Sequence, residues 1–248
     1  MIIEFIGSTG AGKSTLISQV ESRFATTTNV TTPFNMIASQ VGLLRVTNPT
    51  AQNMIQEIFS LSYLIRSLPR YKASIAFSLR MLARKADSAI LTINNLRSLV
   101  RKIGVYEFIR RHQQNRIILV DDGTVLLAHG LFVYNGAYFM SREIAEFASL
   151  IPLPDVIVYV RAPVDTLVKR SLQRSDPPRE MKSKDPRLIE KYVNDAVIMF
   201  EQLIETEEIR DRVVIVDNLE SAEKQSKEAA EFVTELVLSH QVVPYDNN

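Results

Sequence analysis

Apolar residues fall into two kinds of spacing along this chain. Segments 1–6 (MIIEFI), 116–122 (RIILVDD), 155–160 (DVIVYV) and 212–216 (RVVIV) hold short, nearly unbroken apolar runs. Such runs mark strands buried on both faces. A weaker strand is expected at 29–32, where Val30 and its threonines favour extension. Elsewhere the spacing is helical. Met54, Ile55, Ile58, Phe59, Leu61 and Ile65 recur at three and four, Ile75, Leu79 and Leu82 continue after Pro69, and Ile93, Leu96, Val100 and Ile103 form a third run broken near Gly104. After the start signal Asn48-Pro49-Thr50, this predicts about three helices over 50–112 with almost no strand. Further helices are expected at 13–24, at 141–150 under a serine cap, at 163–174 opened by Pro163, at 185–207 opened by Asp185-Pro186, and at 220–239. Strands alternating with helices predict an α/β fold, a parallel sheet with helices on both faces. The basic helical block at about 50–112 is then an insertion lying outside the sheet, within one domain over 1–248.

Composition sharpens this picture. At 248 residues and 46% hydrophobic, the chain can bury a sizeable core. It has no cysteine, which excludes disulfides, thiolate metal sites and cysteine nucleophiles. Residues 123–141 carry no formal charge, a length that raises the question of a membrane span. Glycines, Asn135 and His129 interrupt it, so buried core with a loop is the better reading. The strand at the start has no basic and apolar leader before it, and a cytoplasmic location is expected. The net charge of +1 conceals a block: from Arg66 to Arg116 there are twelve Lys/Arg and two acids, Asp87 and Glu107. Arg66/Arg70, Arg80/Arg84 and Arg97/Arg101 are each four apart, so like charges crowd if both lie on one helix. Their counter-charge comes from the acidic remainder of the chain, a homodimer partner, an acceptor phosphate, nucleic acid or another anionic surface.

The most specific signal follows the first strand. Gly7, Ser8, Thr9, Gly10, Ala11, Gly12, Lys13, Ser14 and Thr15 satisfy G-x-x-x-x-G-K-[ST] between a strand and a helix. Glycines let the backbone turn tightly and aim N–H groups at phosphate oxygens. The following helix adds its positive end. Lys13 reaches the β and γ phosphates and Ser14 ligates magnesium. This is a cradle for ATP or GTP with Mg2+.

Two further features must choose among the functions such a cradle serves. Asp121 and Asp122 end the run 117–120. One carboxylate there holds magnesium and its neighbour accepts a proton from an attacking hydroxyl. Adjacent side chains on a strand point opposite ways, so they divide these roles. Asp121 is assigned to the metal and Asp122 to the acceptor, with the reverse order left open. Glu4, inside the first strand, needs hydrogen bonds or neutralisation; it faces the site or pairs with a basic residue. Arg170 and Arg174 share one helix face and lead into a polar, charged loop, giving a lid at about 170–186. Two guanidiniums there can close over transferring phosphate and spread its charge. The bland alternative is a solvated helix end.

Together GSTGAGKST, VDDG and VYVRAPVDTLVKRSLQR resemble the thymidylate kinase and deoxynucleoside kinase branch of the P-loop kinases. The resemblance covers roughly half the chain. It implies a five-stranded parallel P-loop NTPase sheet, a lid over the phosphates, and transfer of phosphate from ATP to a hydroxyl or phosphate. The sequence departs from that branch in two places. No arginine follows Asp121-Asp122, and Thr31-Thr32-Pro33-Phe34-Asn35 offers no glutamate base. Neither Asn-Lys-x-Asp nor D-x-x-G is present, which disfavours a GTPase switch. The expected function is an ATP-dependent kinase acting on a small-molecule phosphate acceptor, with Lys13, Asp122, Arg170 and Arg174 as its catalytic residues. The alternative is a regulatory ATPase whose basic helices bind an anionic partner.

Overall fold

The computed structural model describes residues 1–24, 29–42, 46–84, 89–133, 139–174 and 185–218, with helical residues at 231, 233–235 and 238. Five strands, β1 (Ile2–Ile6), β2 (Val30–Thr31), β3 (Ile117–Val120), β4 (Val156–Arg161) and β5 (Val213–Asp217), form one all-parallel sheet in the order β2-β3-β1-β4-β5. The expected fold class is the observed one. All residues of β1 and β3 are buried, as their unbroken apolar runs require. The weak second strand has only two paired residues, in register with Ile117 and Ile118.

β1 therefore sits at the middle of the sheet, and its carboxyl end passes directly into α1 (Lys13–Arg23). β3 lies beside it with Glu4 level with Val120, so the residues just after β3 emerge next to the loop after β1. Open parallel sheets place their ligands outside these strand ends.

The helical block differs from its sequence reading in three ways. Two helices, α3 (Pro49–Ala83) and α4 (Ala89–His112), replace the expected three; between them and β2 lies α2 (Pro33–Val41). α3 runs through Pro69. A proline removes one helical hydrogen bond, but Leu64 before it and Tyr71, Phe77, Met81 and Leu82 after it are all buried in the main core. Tertiary packing holds both halves to one element. Gly104 does not break α4. A Cβ there would stand 2.2 Å from the Ser60 carbonyl oxygen, so glycine marks a close approach of α4 to α3. The block contributes no strand, yet it does not stand away from the sheet. Val105, Phe108 and Ile109 of α4 pack with Ile2, Ile118 and Val120, together with Met36 and Ile37 of α2.

Corrections elsewhere are small. α5 (Ser141–Leu150) is capped by Met140, whose N–H donates to Glu143; Ser141 is already helical and its hydroxyl donates to Gln202. Pro163 is the cap of α6 (Val164–Gln173) and not its first residue. α7 (Pro186–Ile204) starts under the Asp185 side chain as expected. The uncharged stretch after Asp122 buries Val125, Leu127, Leu131, Phe132 and Val133. Among the described residues no helix is long and apolar enough to cross a membrane. The loop 175–184 and most of the expected last helix lie outside the described residues.

Most of the block's arginines find their counter-charge within the chain. Arg80 and Arg84 pair with Glu146 and Glu143 of α5, Arg97 with Glu57, Arg101 and Lys102 with Asp122, and Arg110 and Arg111 with Glu107. Glu107 is buried and also accepts from the Tyr71 hydroxyl at 2.8 Å. Burial alone would raise its pKa, but Arg110, Tyr71 and Arg111 outweigh it and hold the carboxyl at about 2.

Two tests follow from this packing. Gly104→Ala should lower stability by about 1–3 kcal/mol, read as a reduced urea midpoint, because α3 must retreat from the new methyl group. A depressed carboxylate stabilises the fold above its unfolded pKa and ceases to do so as pH falls through its folded one. Glu107→Gln should therefore melt well below the parent protein at neutral pH, and the gap should narrow as pH falls from 4.5 toward about 2.

Candidate active site

The loop after β1 has the shape its glycines foretold. Gly7, Gly10 and Gly12 have φ of 142°, 85° and 93°, values that side chains rarely adopt. Sterics demand the same residue. A Cβ on Gly7 would lie 2.4 Å from the Val160 carbonyl oxygen, and one on Gly10 would lie 2.9 Å from that of Leu167. α1 starts directly after Gly12, so its free N–H groups face the mouth of the loop. Among the described residues, the buried Ser8 hydroxyl has no hydrogen-bond partner within the chain. The Lys13 ammonium donates to the Gly7 and Ser8 carbonyls at 2.8 and 3.3 Å, arching back over the loop. Burial pushes it below its ordinary range, with Asp121 opposing the shift.

Ser14 and Asp121 meet as the two expected metal ligands. The Ser14 hydroxyl donates to the Asp121 carboxylate at 2.7 Å across the gap between α1 and the end of β3. A hydroxyl and a carboxylate are the hard oxygen donors magnesium takes. A close-fitting backbone cradle, an unpaired buried hydroxyl and this oxygen pair together fit a magnesium-bound nucleoside polyphosphate.

Asp122 turns the other way, toward α4. Lys102 pairs with it at 2.6 Å, and Arg101 pairs with its second oxygen. Burial pushes the Asp122 carboxyl up, but Lys102 and Arg101 prevail and hold it below the usual carboxylate range. It is thus firmly ionised. The two adjacent carboxylates, in the bend just after β3, thus have different partners: Ser14 for Asp121, and Arg101 and Lys102 for Asp122.

Beside them lies a cavity of about 180 Å3. Asp121, Asp122, Arg101 and Lys102 line one part of it. Thr32, Asn53 and Gln56 add neutral polar groups, and Ile17, Phe34 and Val105 add apolar wall. Arg101 also donates to Asn53 at 2.9 Å.

Arg170 is brought to the cradle. It stands half-buried in the last turn of α6, with its guanidinium donating to the Gly10 carbonyl at 3.4 Å, and the Ser171 hydroxyl reaches the Thr9 carbonyl at the same distance. Arg174, one turn on, is exposed at the helix end but near enough to depress the Lys13 pKa. Arg179, Lys182 and Lys184 of the expected lid fall outside the described residues.

Sequence reasoning missed three contributors. Lys102 carried no distinguishing signal, and Arg101 was noted only as one of a like-charged pair. Asn218, just after β5, donates from its side-chain amide to the Ala11 carbonyl at 2.7 Å and leaves no room for a Cβ on Gly12. His129 sat in the uncharged stretch. It stacks on Phe200, and burial holds its imidazole at about 3, so it is neutral core and not a base.

No family model matches the chain, and no curated protein matches it. Solved structures do. A deoxyadenosine kinase from M. mycoides, solved with the products dCMP and a flexible dCDP, is 12% identical, with 96% of this chain and 100% of that one covered and a TM-score of 0.50. A shikimate kinase from Acinetobacter baumannii, in complex with shikimate, is 14% identical over 98% and 95% of the two chains, with a TM-score of 0.45. The first likeness shows a shared fold, the α/β P-loop NTPase fold, in keeping with the five-stranded parallel sheet.

The Asn218 contact yields its own test. Asn218→Ala removes one hydrogen bond under the cradle, worth about 1 kcal/mol, and should weaken ATP binding about fivefold. Titration calorimetry with ATP reads this directly; unchanged affinity would show that the loop holds its shape without Asn218.

Proposed function

We propose that this chain is a magnesium- and ATP-dependent phosphotransferase that acts on a small-molecule acceptor. One observation carries the reading. Beside the phosphate cradle lies a cavity lined by Asp121, Asp122, Arg101 and Lys102, so an acceptor has a place next to the donor's. A hydrolase or switch needs only the cradle.

ATP with magnesium supplies the phosphoryl group and neutralises part of its charge. The protein's share is positioning and electrostatics, which dominate phosphoryl transfer. Backbone N–H groups of the cradle receive phosphate oxygens. Lys13, already poised over the loop, moves its ammonium from carbonyl oxygens to the phosphates. Ser14 and Asp121 provide oxygens for the metal. Arg170 and Arg174 place positive charge at the cradle's rim, where negative charge accumulates during transfer. Asp122 orients Arg101 and Lys102 on the acceptor side and accepts a hydrogen bond from the acceptor hydroxyl. Held strongly ionised, it orients that hydroxyl more than it removes its proton, in keeping with a loose transition state.

Nucleosides and nucleotides head the candidate acceptors through the shared fold, which is analogy alone. The regulatory ATPase draws no support from the basic block. Seven of its twelve cations pair with carboxylates of this chain among the described residues. A homodimer is likewise not needed to supply their counter-charge.

A radiolabelled-ATP transfer screen over nucleosides, nucleotides and sugars, with free phosphate measured in parallel, tests the reading. Label should appear in one metabolite class. Phosphate release stimulated only by a polymer or protein would overturn the proposal. In the same assay Lys13→Ala should abolish transfer, and Asp122→Ala should lower turnover by more than it lowers ATP affinity.

A further inference from the structure

Glu4 is a carboxylate in the middle of a sheet, 1% exposed, between Ile3 and Phe5. Leaving such a group unsatisfied would cost several kcal/mol. Its partners are backbone. The Leu126 N–H donates to one oxygen at 2.8 Å and the Val125 N–H to the other at 3.2 Å. Both amides belong to the turn that follows Asp121 and Asp122. Gly123 completes the fit: a Cβ there would stand 2.3 Å from the carboxyl carbon of Glu4. The strand that feeds the cradle is thereby tied to the turn that carries both site carboxylates. The contact spans more than a hundred residues of sequence and reaches the site without touching it.

We propose that Glu4 is a positioning residue for phosphoryl transfer: its ionised carboxylate, seated against Gly123 and clasping the Val125 and Leu126 amides, fixes where Asp121 and Asp122 stand relative to Lys13 and Ser14. This inference rests on the phosphotransfer reading. Its chemistry makes it sensitive to protons. An ionised carboxylate accepts at both oxygens, whereas a protonated one must donate from one of them and releases an amide. Burial raises the Glu4 pKa to about 7. The two amides and Lys102 of α4 pull it down, and Asp122 in the turn pushes it up. Protonation below that value loosens the clasp.

The test joins a structural readout to a kinetic one. In the full-length protein, amide resonances of Val125 and Leu126 should titrate with a midpoint at about 7, and Glu4→Gln should abolish that titration. Turnover with the acceptor found by the transfer screen should fall about ten- to a hundredfold in Glu4→Gln, as for other small misplacements of reacting groups. ATP affinity should stay within about twofold, because the cradle's own contacts remain. The parent protein should lose turnover as pH falls through about 7, and Glu4→Gln should lack that limb. Gly123→Ala attacks the same contact from the other side and should also lower turnover with ATP affinity retained; it decides the matter if Glu4→Gln does not fold. Amide resonances that stay put from about pH 5.5 to about 8.5 would overturn the proposal. So would parental turnover and pH profile in Glu4→Gln. Undiminished transfer by Lys13→Ala would instead sink the phosphotransfer reading, and the amide titration would still report on the clasp.

Discussion

The loop between β1 and α1 is enclosed on the sides where Gly7, Gly10 and Gly12 would otherwise carry a side chain. The Val160 carbonyl, the Leu167 carbonyl and the Asn218 amide fill the space a Cβ would need. That crowding sets the remainder of the site. A backbone pressed between β4, α6 and the residue after β5 has one course open to it, and on that course its N–H groups converge where α1 begins. Lys13 can then reach back over the loop, and Ser14 is left pointing at the end of β3.

Charge follows from this placement. Parallel pairing of β1 with β3 brings two consecutive carboxylates to the mouth of the loop, facing opposite ways. One meets a hydroxyl and the other meets two cations of α4. Each has a partner suited to the role proposed for it: an oxygen donor beside Asp121 for a metal ion, and positive charge beside Asp122 for an acceptor. Lys102 draws the Glu4 carboxyl down and Asp122 pushes it up, while Lys102 also holds Asp122 below the usual carboxylate range. Perturbed carboxyls cluster at functional sites, although ion-pair networks such as that of Glu107 perturb them too.

The helical block illustrates how a sequence signal can be correct in kind and mistaken in meaning. Its excess of positive charge is real. Seen along the chain it invites an anionic partner, because the carboxylates that answer it come from as far away as Glu143 and Glu146. Pro69 and Gly104 misled in the same way. Each is a helix breaker by intrinsic preference, and each is overruled: Pro69 by burial on both sides, Gly104 by the closeness of Ser60.

What the residues determined alone is local. The strand positions, the helix starts at Pro49 and Pro186 and the glycine-lined turn between β1 and α1 were legible, because each rests on near-neighbour sterics or on a short motif in its expected setting. What lay beyond reach is whatever depends on contacts distant in sequence. That Arg101 and Lys102 face a cavity, that Asn218 props the loop, that Glu4 clasps a turn 121 residues away, and that most of the arginines are already matched were decided by tertiary packing. A side chain's chemistry is written in its own atoms, but its burial, its partners and hence its pKa come from neighbours that only the folded chain assembles.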